Sequence, residues 1–155
     1  ILRNPIDRAY SQHKMYVKKY NLQLSFDECL EIVFNQPEER VVLDPNSGFS
    51  TNGIKSYLKI GHYTDQIRTY MTYFKPGQFL FLLSEDLLNE HEATMKKIFF
   101  FLGLKPVKTE NKIIHSNKGE KISDESRRRL LDEYYSDICE LEKILNRDLS
   151  HWKKI

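Results

Sequence analysis

Apolar residues return along this chain with two rhythms, and the predicted elements follow from them. From Pro5 to Tyr20 the residues Ile6, Ala9, Tyr10, His13, Tyr16, Val17 and Tyr20 recur every three or four positions, which predicts an amphipathic helix. Asn4 is a good N-cap, and Pro5 takes a first helical position where a missing N–H costs nothing. Ser25 and Glu28 have capping-box spacing ahead of a second helix, whose apolar face runs through Leu30, Val33 and Phe34 until Pro37. Val41 to Leu43 is a short apolar run. The stretch from Asp44 to Ile54, rich in Asn, Ser and Gly, reads as a surface loop. Tyr63, Ile67, Tyr70, Met71 and Phe74 predict a helix between His62 and Phe74, stopped by Lys75-Pro76-Gly77.

Phe79 to Leu83 breaks the rhythm. It is a continuous apolar run, the pattern of a strand buried on both faces of a parallel sheet. Helical spacing returns from Glu92 to Leu102, with Met95, Ile98, Phe99 and Leu102 inward and Gly103 closing the helix. Asn111 to Ser116 reads as a short extended piece. Ser123 opens a last helical region, apolar at Leu130, Leu131, Tyr134, Ile138, Leu141, Ile144 and Leu145. Helices alternating with a buried strand predict an α/β fold with a parallel sheet, predominantly helical in the portion present. The visible strands are too few for a complete doubly wound domain, and Ile1 reads like the tail of a strand. The expectation is a single domain over 1–155 that is part of something longer.

At 155 residues the chain is long enough for a real core, and its 40% apolar, 30% charged composition is that of a soluble globular protein. The balance of 24 basic and 22 acidic residues argues against a non-specific nucleic-acid binder and leaves room for a local basic pocket. Cys29 and Cys139 lie far apart without metal-ligand spacing and read as free thiols of a reducing compartment, a single long-range disulfide being the alternative. No stretch has the apolar length of a membrane span or the pattern of a secretion signal. The expected location is therefore the cytoplasm, with the Golgi lumen as the alternative if a preceding segment carries an anchor.

Two stretches have the chemistry to hold phosphate. Gly48 to Gly53, followed by Lys55-Ser56, approximates a nucleotide-binding loop, but the lysine stands one place too late. The second lies at the start, where Arg3 precedes the helix and Ser11 sits about two turns into it. Arginine offers a planar fork of donors and the serine hydroxyl a directional one.

Arg3-Asn4-Pro5-x-x-Arg8-x-x-Ser11 resembles the 3'-phosphate-binding segment of PAPS-dependent sulfotransferases, which use 3'-phosphoadenosine 5'-phosphosulfate as sulfuryl donor. Further points of resemblance follow in the family's order. They are Gly61-His62-Tyr63, Glu85-Asp86-Leu87 after the strand, Phe101-Leu102-Gly103-Leu104, Lys118-Gly119 and the late Trp152. The resemblance implies a P-loop-type parallel sheet with flanking helices, of which this chain is the C-terminal part without the phosphosulfate loop. It implies that Arg3 and Ser11 bind the 3'-phosphate and that Lys118 and Gly119 close over it. It also implies in-line transfer to a hydroxyl or amine acceptor, a glycan being one class, with 3',5'-ADP as product and no metal. A lysine charge beside a glycine that lets backbone N–H groups approach an anion suits that role.

The family's general base has no counterpart among His13, His62, His91, His115 and His151, which read as surface or packing residues. Arg127-Arg128-Arg129 fans around a helix and so cannot face one ligand. The alternatives are a non-enzymatic helical interaction module and a small kinase using Gly48 to Ser56.

Overall fold

The structure, a computed structural model, describes residues 1–35, 42–44, 49–111 and 122–155. The chain divides into two compact units, one of Asn4–Gln66 with Gly119–Ile155 and one of Ile1–Arg3 with Ile67–Lys118.

The larger unit contains α1 (Pro5–Tyr20), α2 (Phe26–Asn35), α3 (Thr51–Lys59) and α7 (Asp124–Leu145). Its spine is α7, whose Leu130, Leu131, Tyr134, Ile138 and Leu141 are all buried, as their three- and four-residue spacing requires. Helix α1 packs on both α3 and α7, and α3 packs on α2. Ile6, Ala9, Leu30 and Ile54 are among the residues with no exposed surface. The capping box of α2 forms in both directions. Glu28 accepts the Ser25 N–H at 2.8 Å, and the Ser25 hydroxyl accepts the Glu28 N–H at 3.2 Å.

One expectation is overturned here. The stretch from Asp44 to Ile54 is not simply a surface loop: β1 (Val42–Asp44) and β2 (Phe49–Ser50) pair antiparallel, and α3 starts at Thr51. Thr51 and Ile54 are fully buried and Leu58, one turn on, nearly so. Thr-Asn-Gly is a poor helix opening, but tertiary packing of an apolar stripe supplies most helical stability and outweighs propensity.

The smaller unit holds α5 (Ser84–Asn89), α6 (His91–Phe101) and a 3-10 turn at Pro76–Gln78; the boundary between the units falls inside α4 (Tyr63–Met71). The run Phe79 to Leu83 is extended. The Leu2 N–H donates to the Leu82 carbonyl at 2.7 Å, and the Ser84 N–H to the Leu2 carbonyl at 2.7 Å. This makes one parallel bridge, Leu2 to Leu83, in place of the expected buried strand. Leu82 and Leu83 are buried while Phe79, Leu80 and Phe81 are half-buried. Burial on both faces needs neighbours and covering layers that the described residues do not supply. Glu85-Asp86-Leu87, directly after the run, lies in α5.

Helix α6 ends on Gly103, whose φ of +67° is left-handed. The Gly103 N–H reaches the Phe100 carbonyl at 3.1 Å and the Leu104 N–H the Phe99 carbonyl at 2.8 Å, the paired bonds of a glycine-terminated helix. Leu102, expected inward, is 57% exposed. The extended piece expected at Asn111 to Ser116 lies, beyond Asn111, outside the described residues.

Candidate functional site

The start of α1 is fixed by Asn4. Its Oδ1 accepts the Ile6 N–H at 2.9 Å and the Asp7 N–H at 3.4 Å, while its Nδ2 donates to the Trp152 carbonyl at 3.2 Å. One side chain thus satisfies two orphan donors of the helix and ties its first turn to the turn Ser150–Lys153, where Trp152 is a buried core residue. Pro5 is buried at the first helical position, so the Asn-Pro pair is the device that sets where α1 begins.

Arg3, just before that cap, is exposed, and Ser11 is half-buried on α1. They belong to different compact units. Lys118 and Gly119 lie outside the described residues, as does His115. Arg8, the other arginine of the motif, is engaged structurally. Its Nη1 donates to Gln12 Oε1 at 2.8 Å, and its guanidinium hydrogen-bonds the Tyr134 phenol. Burial pushes that phenol's pKa up, and the Arg8 charge opposes the rise. The Tyr134 hydroxyl in turn donates to the Leu58 carbonyl at 2.9 Å, so Arg8 and Tyr134 link α1, α7 and α3.

The Gly61-His62-Tyr63 signature also has a physical reason. A Cβ on Gly61 would stand 2.7 Å from the Tyr134 ring, so only glycine fits beneath that ring. Tyr63 is buried, and its N–H donates to Asp137 Oδ2 at 2.9 Å. Asp137 Oδ1 accepts the Thr64 N–H at 3.1 Å and also the Thr64 hydroxyl. Sequence reasoning missed Asp137. Its signal was a carboxylate on the apolar stripe of α7, between Tyr134 and Ile138.

The remaining candidates resolve into packing. Gly53, Lys55 and Ser56 lie in α3 with Ile54 buried between them, which removes the loop geometry that the kinase alternative requires. His13 is buried against Phe26 with ring centroids 5.2 Å apart, and desolvation lowers its pKa to about 4. His62 pairs with Glu133 at 3.0 Å, His91 meets Thr109 Oγ1 at 2.9 Å, and His151 rests against Trp152. Arg127 pairs with Asp7 at 2.8 Å, Arg129 with Glu31, and Arg128 is exposed, so the three do fan apart. Cys29 and Cys139 are free thiols. Tyr10 packs on Phe26 at 5.2 Å and Tyr16 on Tyr20 at 5.4 Å.

Comparison with known proteins agrees with the family resemblance. The chain is 28% identical over 113 residues to carbohydrate sulfotransferase 15 of Rattus norvegicus, covering 69% of this chain and 20% of that protein. It is 28% identical over 174 aligned positions to the bifunctional heparan sulfate N-deacetylase/N-sulfotransferase 3 of Mus musculus, covering 95% of this chain and 19% of that protein. The chain therefore spans about a fifth of the length of these relatives. Its fold is that of a crystallised sulfotransferase from Alicyclobacillus acidocaldarius, with a TM-score of 0.73 and 24% identity over 99% of this chain and 56% of that one. A sequence model described as the sulfotransferase domain matches residues 1–136, and on that match the chain belongs to the sulfotransferase domain family.

Proposed function

We propose that this chain is the C-terminal part of a PAPS-dependent sulfotransferase and contributes the grip on the donor's 3'-phosphate. The observation that carries the reading is the α1 entrance. Asn4 and Pro5 fix the helix start, Arg3 stands exposed immediately before it, and Ser11 follows eight residues later on the helix. On this reading the Arg3 guanidinium and the Ser11 hydroxyl donate to the 3'-phosphate, and Lys118 with the Gly119 N–H closes over it. The transfer is an in-line displacement at sulfur by an acceptor hydroxyl or amine, with 3',5'-ADP leaving. The protein's contribution is then positioning and charge stabilisation rather than a covalent intermediate. The names of the relatives, a carbohydrate sulfotransferase and a heparan sulfate N-sulfotransferase, favour a glycan acceptor.

In the same proposal the Leu2–Leu83 bridge is one rung of a P-loop-type parallel sheet completed by strands outside this chain. The free thiols Cys29 and Cys139 favour the cytoplasm, and among the described residues no helix is long and apolar enough to cross a membrane. Calorimetric titration of the gene product with 3',5'-ADP, against 5'-AMP, tests the site. Binding that requires the 3'-phosphate is expected. Equal affinity for the two nucleotides by a folded protein would rule the site out.

A further inference from the structure

Arg127 stands in the first turn of α7, and its Nη2 donates to Asp7 Oδ1 at 2.8 Å. Asp7 and Ser11 are four residues apart on α1, so they share a face, one turn from each other. The ion pair therefore brings a guanidinium to the face of α1 that carries the Ser11 hydroxyl. All three residues belong to the larger unit.

The other arginines of these helices are engaged elsewhere or open to solvent. Arg8 holds Gln12 and the Tyr134 phenol, Arg129 holds Glu31 and lies over the Phe34 ring, and Arg128 is exposed. Arg127 differs from them. An arginine fork can offer parallel donors to a carboxylate or phosphate, yet this one meets Asp7 through a single nitrogen. Among the described residues its guanidinium makes no second hydrogen bond. The side chain keeps only 22% of its surface exposed, but none of its unpaired nitrogens is sealed from solvent. It is a largely buried cation with donors open on one side.

The backbone that carries it is held independently. Asp27, in the first turn of α2, accepts the Ser123 hydroxyl at 3.0 Å and also the Ser126 hydroxyl, which pins the turn from which Arg127 projects. Fixed at its root by Asp27 and at its tip by Asp7, the guanidinium has little freedom left to lose when an anion arrives.

We infer that Arg127 is a further ligand of the donor's 3'-phosphate. Its open N–H groups donate to the phosphate oxygens from the α7 side, while the Ser11 hydroxyl donates from α1. Asp7 is the positioning residue, whose carboxylate orients the fork. This inference rests on the proposed nucleotide site and adds a residue to it.

Calorimetric titration of the intact gene product and of its Arg127→Gln and Arg127→Lys variants, with 3',5'-ADP and with 5'-AMP, tests the assignment. Arg127→Gln keeps an amide donor for Asp7 but no charge. It should weaken 3',5'-ADP binding about tenfold or more, the loss of a charge-assisted bond, and leave 5'-AMP unchanged. Arg127→Lys should recover only part of that loss, because an ammonium keeps the charge without the fork. A partly exposed ion pair adds little stability, so the urea midpoints of the three proteins should agree closely. If Arg127→Gln weakens both nucleotides equally, or neither, while the wild-type protein prefers 3',5'-ADP, the role of Arg127 is overturned and the nucleotide site stands. A wild-type protein that binds the two nucleotides alike overturns the site and this inference together.

Discussion

The carboxylate of Asp137, on α7, caps the helix that begins at Tyr63. Oδ2 accepts the Tyr63 N–H at 2.9 Å and Oδ1 the Thr64 N–H at 3.1 Å, so a buried negative charge meets the positive end of a helix. Asp137→Ala leaves two backbone donors and the Thr64 hydroxyl without this partner. The expected cost is about 2–3 kcal/mol, as for buried hydrogen bonds to a charged acceptor. Asp137→Asn keeps an acceptor oxygen and should lose less. Urea denaturation of the two variants checks the order.

Gly61 is held by shape rather than by a turn. With a Cβ 2.7 Å from the Tyr134 ring, Gly61→Ala forces the ring or the α3–α4 connection to move. Overpacking of this kind costs about 1–3 kcal/mol. Tyr134→Phe removes the bond to the Leu58 carbonyl but leaves the ring in place. If ring contact is the cause, Gly61→Ala combined with Tyr134→Ala should be far from additive; additive denaturation midpoints would point elsewhere.

His13 makes stability depend on pH. Burial lowers its folded-state pKa to about 4 from an ordinary 6.5. Between those values the unfolded chain holds the proton and the folded one does not. The stabilisation is therefore present above about pH 6.5 and lost as pH falls to about 4, by up to about 3 kcal/mol. Among the described residues its buried Nδ1 has no hydrogen-bond partner that would stabilise an imidazolium there. His13→Phe should flatten the pH dependence of the urea midpoint over that interval. An unchanged slope would show that other groups carry it.

Cys29 has no exposed surface, and burial pushes its thiol up to about 12, with the Glu28 charge adding to the rise. The thiolate is the reactive species, so Cys29 should resist alkylation in the folded protein. Half-buried Cys139 is the more accessible thiol. Ellman's reagent at pH 8 should titrate Cys139 first under native conditions and both thiols in guanidinium; rapid native labelling of Cys29 would contradict the burial.

At the proposed nucleotide site the two side chains should differ in weight. Arg3→Ala should weaken 3',5'-ADP binding by about 2–3 kcal/mol, roughly 30- to 150-fold, the loss of a charge-assisted contact. Ser11→Ala removes a neutral hydroxyl donor and should cost about 1 kcal/mol. Neither should alter 5'-AMP binding. Asn4→Ala should instead lower folding stability by about 1–2 kcal/mol through the lost cap.

Much of this was legible because it is local. The N-cap at Asn4, the reciprocal pair of Ser25 and Glu28, the left-handed stop at Gly103 and the apolar stripe of α7 depend on residues within a few positions of one another. The order of short motifs from Arg3 to Trp152 pointed to the family for the same reason. Only the tertiary structure could decide the rest. Helix α3 exists because Ile54 and Leu58 are buried by other elements, although Thr-Asn-Gly reads as a loop. Gly61 is required because a ring 73 residues along the chain stands above it, and Asp137 is a cap because a helix from 74 residues earlier begins at its carboxylate. The run from Phe79 to Leu83 has the sequence of a buried strand, but among the described residues it makes one bridge, to Leu2, and Phe79 to Phe81 are only half-buried. Burial belongs to the neighbours a segment finds, and no pattern within the segment can supply them.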